Sequence, residues 1–200
     1  MALWVEEATE NILKAAKAEF MERGFLNASL RTIAANAKTS PRSIYTRFSN
    51  KEELFAYFVS SHTKHFFETF KAYLESLSGK PVQQQIVTRE GESRHCLYEL
   101  TDYLYEYFDE FYLLICCSEG TEFEKFIEEL ASIEAEHTIR FINNISVKAK
   151  EIDYDFIHFM SRAFFDGYFE IVRHRYDKDK AVRYIDKLIK FNEAGWSQFL

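Results

Sequence analysis

Apolar residues recur at three- and four-residue spacing along most of this chain, and strict alternation of apolar and polar residues is scarce. The first spacing is the period of an amphipathic helix, whereas alternation would indicate strands. Only two prolines and six glycines interrupt the 200 residues. The pattern therefore predicts an all-α fold, in a chain long enough for one or two hydrophobic cores.

The start of the chain predicts three helices in close succession. Gly24 is typical of a helix end, and either Ser29 or Asn27 can cap the helix that follows. After a short turn, Pro41 suits the first turn of the next helix, with Ser40 as its cap. The three helices are predicted at about residues 6–23, 30–36 and 41–47.

The rest of the chain predicts longer helices. Lys51 begins a long helix, which Ser49 and Asn50 cap and which the Gly-Lys-Pro sequence at 79–81 breaks. No regular element is predicted for most of the polar segment 81–95. The remaining helices are predicted at about residues 94–108, 109–117, 121–145, 153–174 and 178–198.

Positive charge is concentrated around the second and third predicted helices. The whole chain has a formal net charge of −7, yet residues 1–51 balance at +3 and residues 52–200 at −10. No acid occurs between Ser29 and Glu52, where the cations are Arg31, Lys38, Arg42, Arg47 and Lys51. A basic helical corner on an acidic protein indicates a contact with nucleic acid.

Two short helices joined by a tight turn, with cations and hydroxyls on the second, form a DNA-binding unit. Arg42 is long enough to reach a guanine edge with two donors. Tyr45 and Lys51 are better suited to phosphate, one as a neutral donor and the other as a point charge. The motif therefore predicts a helix-turn-helix whose second helix lies in the major groove.

This stretch resembles the N-terminal domain of TetR/AcrR-family transcriptional regulators, over about residues 10–55. The resemblance implies a three-helix helix-turn-helix DNA-binding domain at residues 1–52 and a helical-bundle ligand-binding and dimerisation domain at residues 53–200. The matching residues are Ile12, Leu13, Ala15, Ala16, Phe20, Gly24, Phe25, Ser29, Ile33, Ala34, Ala37, Ser40, Tyr45, Phe48, Lys51 and Leu54.

Three departures from the family pattern lie in the same stretch. Lys38 and Thr39 stand where the turn commonly has Gly-Val, and Lys38 needs a strained backbone if the turn demands a positive φ. Arg42 stands where glycine is common, and Arg47 stands where many members carry an aromatic residue or histidine. Arg47 could add a phosphate contact. The predicted contacts with double-stranded DNA are Ser29, Arg31, Thr39, Ser40, Pro41, Arg42, Ser43, Tyr45, Thr46, Arg47 and Lys51.

The resemblance also implies a homodimer in which the last two helices of each copy form a four-helix bundle. Such a dimer would present two recognition helices to half-sites about 34–36 Å apart. Both predicted helices carry broad apolar stripes, and packing of these rings within one chain is the alternative. The predicted interface residues are Phe156, Met160, Phe164, Gly167, Tyr168, Tyr184, Leu188 and Phe191.

The middle helices are expected to enclose a small, largely apolar effector, because rings with a few hydroxyls are typical of ligand pockets. Plain core packing is the alternative. Residues 97–136 hold twelve acids opposed only by Lys125. Most must form a solvated face, but one or two acids pointing inward among rings would favour a lipophilic cation. The predicted lining residues are Tyr103, Tyr107, Phe111, Tyr112, Ile115 and Cys116.

The implied function is a ligand-responsive regulator, most simply a repressor that binds a palindromic operator. Effector binding would favour a conformer in which the long helix from Lys51 moves and the recognition helices no longer match their half-sites. A constitutive DNA-binding protein without a ligand is an alternative.

The composition favours a cytoplasmic protein without a membrane partner. Cys96, Cys116 and Cys117 form no paired framework, which suits a reducing compartment. The first residues lack a signal-peptide pattern, and no stretch reaches the roughly 20 apolar residues of a membrane span. We expect no enzymatic activity, no catalytic residue, no cofactor and no resident metal.

Two further alternatives remain open. Glu92 and Glu134 each stand three residues before a histidine, which is the Glu-x-x-His pair of di-iron bundle enzymes. The three cysteines, with His95 nearby, could instead serve a metal-sensing or thiol-redox-sensing regulator. Either alternative requires the side chains to converge in space.

Overall fold

The computed structural model describes residues 2–145 and 152–199, with side chains except at residues 2–6, 82, 86, 87, 90 and 145. Residues 146–151 and 200 of the predicted second domain lie outside this range. The described residues form helices and contain no strand, so the all-α prediction is confirmed. A short 3-10 turn covers Glu122–Lys125, and the α-helices are α1 (Ala2–Asn27), α2 (Leu30–Asn36), α3 (Pro41–Tyr45), α4 (Lys51–Ser78), α5 (Val82–Glu106), α6 (Phe108–Cys116), α7 (Phe126–Ile145), α8 (Tyr154–Arg173) and α9 (Lys178–Trp196).

Helices α2 and α3 begin at the caps that the sequence predicts. The Oγ of Ser29 accepts a hydrogen bond from the amide three residues later at 3.5 Å, and α2 occupies the predicted range. The Oγ of Ser40 accepts a similar bond at 3.3 Å, and Pro41 is the first residue of α3. Helix α3 ends at Tyr45, slightly earlier than predicted.

Gly24 interrupts α1, as the sequence predicts. Its backbone (φ 69°, ψ 165°) is not helical, and the helix resumes only as far as Asn27. Glycine tolerates this left-handed region because it has no Cβ. Phe25, directly after the interruption, is buried.

Helix α4 also begins and ends where predicted. The Oδ1 of Asn50 accepts a hydrogen bond from the amide of Glu53 at 2.7 Å. In return, the Glu53 carboxylate accepts one from the amide of Ser49 at 2.6 Å. This reciprocal cap satisfies amides that have no partner inside the helix. The helix ends at Ser78, just before the Gly-Lys-Pro break.

Helix α5 is longer than the sequence predicts. It begins at Val82 rather than near residue 94, so the polar segment is helical. Its polar side chains have partners on other helices: Arg94 pairs with Glu193 and lies 3.2 Å from Asp186. Tertiary ion pairs thus replace the apolar stripe from which a helix is recognised in sequence.

The described residues divide into two compact units. The first comprises the residues up to Thr63 together with Asp109–Glu124, and the second comprises Lys64–Phe108 and the residues from Lys125 onward. Among the described residues, no helix has both the length and the apolar character that crossing a bilayer requires.

Aromatic rings form the centre of the first unit. Phe55 contacts Phe20 and Phe25, with ring centroids 5.1 and 5.4 Å apart. The segment 109–124 belongs to this unit because it binds the end of α1. There the amide of Phe25 donates a hydrogen bond to the carbonyl of Cys117 at 2.8 Å.

An ion-pair cluster also ties α1 to the start of the returning segment. The Nζ of Lys17 lies 3.1 Å from Asp109 and 2.8 Å from Glu110. Burial lowers the pKa of Lys17, but the two carboxylates outweigh that effect and raise it. Lys17 is therefore charged whenever the protein is folded near neutral pH.

The second unit has its own aromatic core. Phe126 contacts Phe66 and Phe169, with ring centroids 5.5 and 5.6 Å apart. The hydroxyl of Tyr168, which is fully buried, lies 2.9 Å from the Oγ1 of Thr101. This bond satisfies the phenol in a place that water does not reach.

Candidate functional site

The turn between α2 and α3 has the strained backbone that the sequence predicts. Lys38 adopts a φ of 52°, in the left-handed region that favours glycine. The amide of Thr39 donates to the carbonyl of Ala34 at 2.9 Å, which closes α2 behind the turn. The lysine therefore occupies a position where a glycine would fit without strain.

The outward side of α2 and α3 is basic and accessible. Arg31 on α2 and Arg42 on α3 are exposed, and Tyr45 is 55% exposed. Within the described residues, neither arginine makes a side-chain hydrogen bond or ion pair with the rest of the chain. Both guanidinium groups are therefore available to a partner outside the chain.

Several predicted DNA contacts also have local structural roles. Ser29 and Ser40 cap their helices through their hydroxyls, and Pro41 sets the first turn of α3. Thr46 donates its hydroxyl proton to the carbonyl of Ser43 at 2.8 Å. Thr39 is half-buried beside the turn.

Arg47 is engaged inside the protein. Its Nε donates to the Oγ1 of Thr9 at 2.8 Å, and one terminal nitrogen donates to the carbonyl and hydroxyl of Ser43 at 2.8 and 3.0 Å. These bonds connect α3 to α1. The predicted phosphate contact of Arg47 stays untested, but its geometry is that of a residue that positions α3.

Lys51 is engaged in the same way. Its Nζ donates to the carbonyls of Phe25, Leu26 and Ala28 at 2.7, 3.2 and 3.2 Å. It also lies 4.4 Å from the centroid of the Phe25 ring. The ammonium group has three protons, and all three have acceptors here. The predicted phosphate contact of Lys51 stays untested, but its geometry is that of a residue that holds the end of α1 against the start of α4.

The second unit encloses a cavity of about 380 Å³. This volume lies in the range of about 300–1,000 Å³ typical of small-molecule sites. Side chains from α4, α5, α7, α8 and α9 line it, and most of the lining is apolar. Its aromatic lining residues are Phe70, Tyr73, Phe141, Phe164, Phe165 and Trp196.

A polar group stands on one wall of the cavity. The guanidinium of Arg89 lies 3.4 Å from Oε1 of Glu134 and donates to the Oγ1 of Thr138 at 3.2 Å. Thr138 in turn donates to the same Glu134 oxygen at 3.1 Å. The guanidinium also lies over the ring of Phe141, 4.6 Å from its centroid.

Negative charge is disfavoured around this wall. Burial raises the pKa of Glu134, although Arg89 opposes the shift. Burial, followed by the nearby carboxylates of Glu99 and Glu134, raises the pKa of the Cys96 thiol to about 12. Burial and Glu134 likewise raise the pKa of Tyr73.

Residues 12–58 match the family model of the TetR family of bacterial regulatory proteins, and this range contains α2, α3 and the caps described above. Over these residues the chain is therefore similar to TetR-family regulators. The predicted resemblance is confirmed. Proteins of that family are non-enzymatic DNA-binding transcription factors, which agrees with the prediction that this chain is not an enzyme.

Solved structures share the fold of this chain. A protein from Mesorhizobium loti MAFF303099, assigned to the TetR family, is 18% identical with a TM-score of 0.53, covering 95% of this chain and 96% of that chain. A TetR-like transcriptional regulator from Rhodococcus sp. RHA1 is 19% identical with a TM-score of 0.51, covering 94% and 96%. No curated protein matches the chain.

The residues of the two Glu-x-x-His pairs are held in other contacts. Glu92 and Glu134 pair with a lysine and an arginine, respectively, and Nε2 of His137 lies 2.8 Å from the hydroxyl of Ser78. In the part of the chain that the structure describes, no three His, Cys, Asp or Glu side chains converge to hold a metal ion. Cys96 and Cys117 are buried, whereas Cys116 is exposed.

The predicted ligand-lining residues do not line this cavity. Tyr103 and Tyr107 belong to the second unit, where their rings contact each other at 4.9 Å. The other four belong to the first unit, in which Phe111 is fully buried and Cys116 is exposed. Glu134 does line the cavity. In the sequence it belongs both to the acidic run and to a Glu-x-x-His pair.

Six of the eight predicted dimer residues fall into two groups. Phe156, Met160 and Phe191 are exposed, the last by 81%. Gly167, Tyr184 and Leu188 contact one another within the chain: the Tyr184 hydroxyl donates to the Gly167 carbonyl at 2.9 Å, and a Cβ at Gly167 would lie 3.3 Å from the Leu188 side chain.

The other two predicted dimer residues, Tyr168 and Phe164, are buried and half-buried, respectively. The prediction that Tyr168 lies in the dimer interface is wrong. Its ring and hydroxyl lie inside the second unit and have no accessible surface, so Tyr168 cannot touch a partner copy. Phe164 is half-buried and lines the cavity.

Proposed function

We propose that this protein is a ligand-responsive repressor that acts in the cytoplasm. It binds a palindromic operator as a homodimer and releases it when a small, largely apolar effector occupies the cavity. The observation that carries the proposal is the exposed and unengaged pair Arg31 and Arg42 on the helices of a TetR-family DNA-binding domain.

The proposed DNA contacts are those that the fold leaves accessible. Arg42 is placed to donate to a base edge, and Tyr45 to donate to a phosphate. Arg31 and Lys38 add phosphate contacts from α2 and the turn. Ser40, Pro41, Ser43 and Thr46 set the shape and orientation of α3, and they lie close enough to its outer side to contact the backbone of a duplex.

The proposed homodimer is supported by large rings that one chain leaves uncovered. Phe159 on α8 is 63% exposed, and Phe191 on α9 is 81% exposed. A second copy would remove these rings from water, which stabilises the pair at about 25 cal/mol per Å² of apolar surface. A two-fold dimer presents its recognition helices to both halves of a palindrome.

The proposed effector response requires a link between the cavity and the recognition helix. Helix α4 follows α3 in the chain and carries Phe70 and Tyr73 of the cavity wall. An effector that fits one position of α4 better than another shifts the population between DNA-bound and released conformers. The effector must bind the released conformer more tightly, because equal affinities would shift nothing.

Selection of bound DNA from random sequence tests the DNA-binding part of the proposal. We expect a palindromic consensus for the native chain, loss of base preference for Arg42→Ala, and a uniform loss of affinity for Tyr45→Phe. Arg140→Ala is the matched control, since Arg140 is exposed on α7. If the native protein binds no duplex at low salt, the proposal is wrong.

A further inference from the structure

We propose that the cavity of the second unit binds a lipophilic monocation, an organic ammonium group on an apolar body, with its charge against the carboxylate of Glu134. The inference rests on the proposed function in so far as this ligand is the effector. It adds the chemical class of the ligand and the residue that selects it.

The carboxylate of Glu134 is incompletely paired. Both of its side-chain hydrogen bonds, from Arg89 and Thr138, end on Oε1. In the described part of the chain, Oε2 accepts none. The side chain keeps 23% of its accessible surface although it stands between helices, and it lines the cavity. A carboxylate oxygen without a donor is thus open to a ligand.

The cavity also has an aromatic wall. Six rings line the space, and the face of an aromatic ring attracts a cation. One organic cation already sits in this way, since the guanidinium of Arg89 lies over Phe141 while it faces Glu134. The wall therefore combines the two partners that an ammonium group with an apolar body needs.

The sign of the charge in the lining also favours a cation. Arg89 is the one cation among the described lining residues, whereas two carboxylates, Glu134 and Glu193, line the same cavity. Arg94, which neutralises Glu193 from outside the lining, is shared with Asp186. The described lining residues alone balance at −1, whereas outside the lining Lys190 pairs with Asp186.

An anionic ligand is the competing class, because Arg89 has further donors. It would have to enter beside Glu134 and Glu193, where its charge adds to an excess that burial already disfavours. A neutral apolar ligand would leave Oε2 of Glu134 buried without a partner, which costs free energy. A cationic ligand avoids both costs, because its charge is opposite to that of the carboxylates and it gives Oε2 of Glu134 a partner.

The test compares three probes of one shape and different charge by isothermal titration calorimetry. They are naphthylmethyl-trimethylammonium, its uncharged neopentyl isostere, and naphthylpropanoate. We expect the cation to bind at least about tenfold more tightly than the isostere, with the anion weakest. Glu134→Gln should remove that preference and leave the affinity for the isostere unchanged. Glu136→Gln, two residues along α7 and exposed, is the matched control and should change neither.

Three outcomes overturn the inference. The anion binds most tightly and loses its affinity in Arg89→Met, the isostere binds as well as the cation, or none of the probes binds at millimolar concentration. Circular dichroism and melting temperature show that each variant is folded. If Glu134→Gln is unfolded, Glu134→Asp, which keeps the charge and shortens the reach, should weaken the cation selectively.

A second measurement separates this inference from the proposed function. The same probes are added to the complex of the protein with its selected operator, and fluorescence anisotropy reports release. A cation that binds without releasing DNA upholds the ligand class and contradicts the repressor proposal. A neutral or anionic probe that binds and releases DNA upholds the repressor and contradicts the ligand class.

Discussion

Arg47 donates a hydrogen bond from its Nε to the Oγ1 of Thr9 over 2.8 Å, which ties α3 to α1. The same side chain binds Ser43 on α3, so one guanidinium spans the two helices. A residue that the sequence suggests as a DNA contact thus has an evident use inside the protein. The orientation of α3 then depends on a residue that never needs to touch DNA.

Thr9→Val tests this use, because valine keeps the shape of threonine without its acceptor. A hydrogen bond to a charged donor contributes about 1.5–3 kcal/mol, and we expect the variant to lose about 1–2 kcal/mol of unfolding free energy. We also expect weaker operator binding with an unchanged consensus. Thermal denaturation and anisotropy measure the two effects, with Thr32→Val, an exposed threonine on α2, as control. Unchanged binding and stability in Thr9→Val would contradict the positioning role.

Lys51→Met should destabilise the protein without changing how salt affects DNA binding. The variant removes a charged donor from three backbone carbonyls, and we expect a loss of about 2–3 kcal/mol of unfolding free energy. A phosphate contact would instead show as a slope of log K against log salt reduced by about 1, as we expect for Arg31→Ala. A Lys51→Met variant that melts normally but shows the reduced slope would restore Lys51 to the DNA contacts.

Lys38→Gly should stabilise the fold. A non-glycine residue in the left-handed region costs about 1–2 kcal/mol, while glycine costs more unfolded-state entropy, so the net gain is about 0.5–1 kcal/mol. Lys38→Ala is the matched control, because it removes the same charge but keeps the strain. Both variants should lose DNA affinity equally, and only the glycine variant should melt at higher temperature. Equal melting temperatures would show that the turn carries no strain.

His137 should make the protein less stable in mild acid. Burial and then the nearby Arg89 lower the pKa of His137 to about 4, against about 6.5 in an unfolded chain. Between these two values the unfolded state binds a proton that the folded state does not. Its contribution to stability is therefore complete above pH 6.5 and is lost, at up to about 1.4 kcal/mol per pH unit, as the pH falls toward 4.

The measurement is the unfolding free energy from pH 7 to pH 5 in urea. His137→Gln should flatten the slope in this range, since glutamine does not titrate, even if the variant is less stable at pH 7. His65→Gln, which changes an exposed histidine, should keep the slope of the native chain. Equal slopes in all three proteins would contradict a buried, uncharged His137.

Thiol labelling should distinguish the three cysteines. Cys116 is exposed, whereas Cys96 and Cys117 are buried, and burial raises the pKa of Cys96 to about 12. We expect a disulfide reagent at pH 8 to label Cys116 at once and the other two only on unfolding. Cys116→Ser should abolish the fast phase. Fast labelling of Cys96 in the folded protein would revive the redox-sensing alternative.

The sequence predicts the first helices well because their signals are local. Ser29, Ser40 and Pro41 fix the starts of α2 and α3 through hydrogen bonds and a backbone angle that neighbours in the chain determine. Helix α5 is different. Its early part, residues 82–94, is mostly polar, and the partners that bind Arg94 there, Asp186 and Glu193, lie about a hundred residues away in the chain.

The candidate ligand site was harder to predict for the same reason. The sequence predicts a lining of residues, mostly aromatic, that follow one another along two helices between Tyr103 and Cys116. The cavity instead takes a few side chains from each of several helices, with Phe70 and Ser197 at its extremes in sequence. Spacing within a helix carries no information on such a set, although Glu134 belongs to the acidic run in which the sequence allows one or two acids to point inward.

The return of residues 109–124 to the first unit has a practical consequence for anyone who wishes to graft this DNA-reading module onto another protein. A fragment that stops at the predicted boundary, or even at Thr63, would leave the Phe25 amide and the Lys17 ammonium without Cys117 and the two acids that bind them. A working transplant must carry two separate stretches of polypeptide. In this sense the module is discontinuous, and it has to be moved as a three-dimensional object rather than cut at a point in the gene.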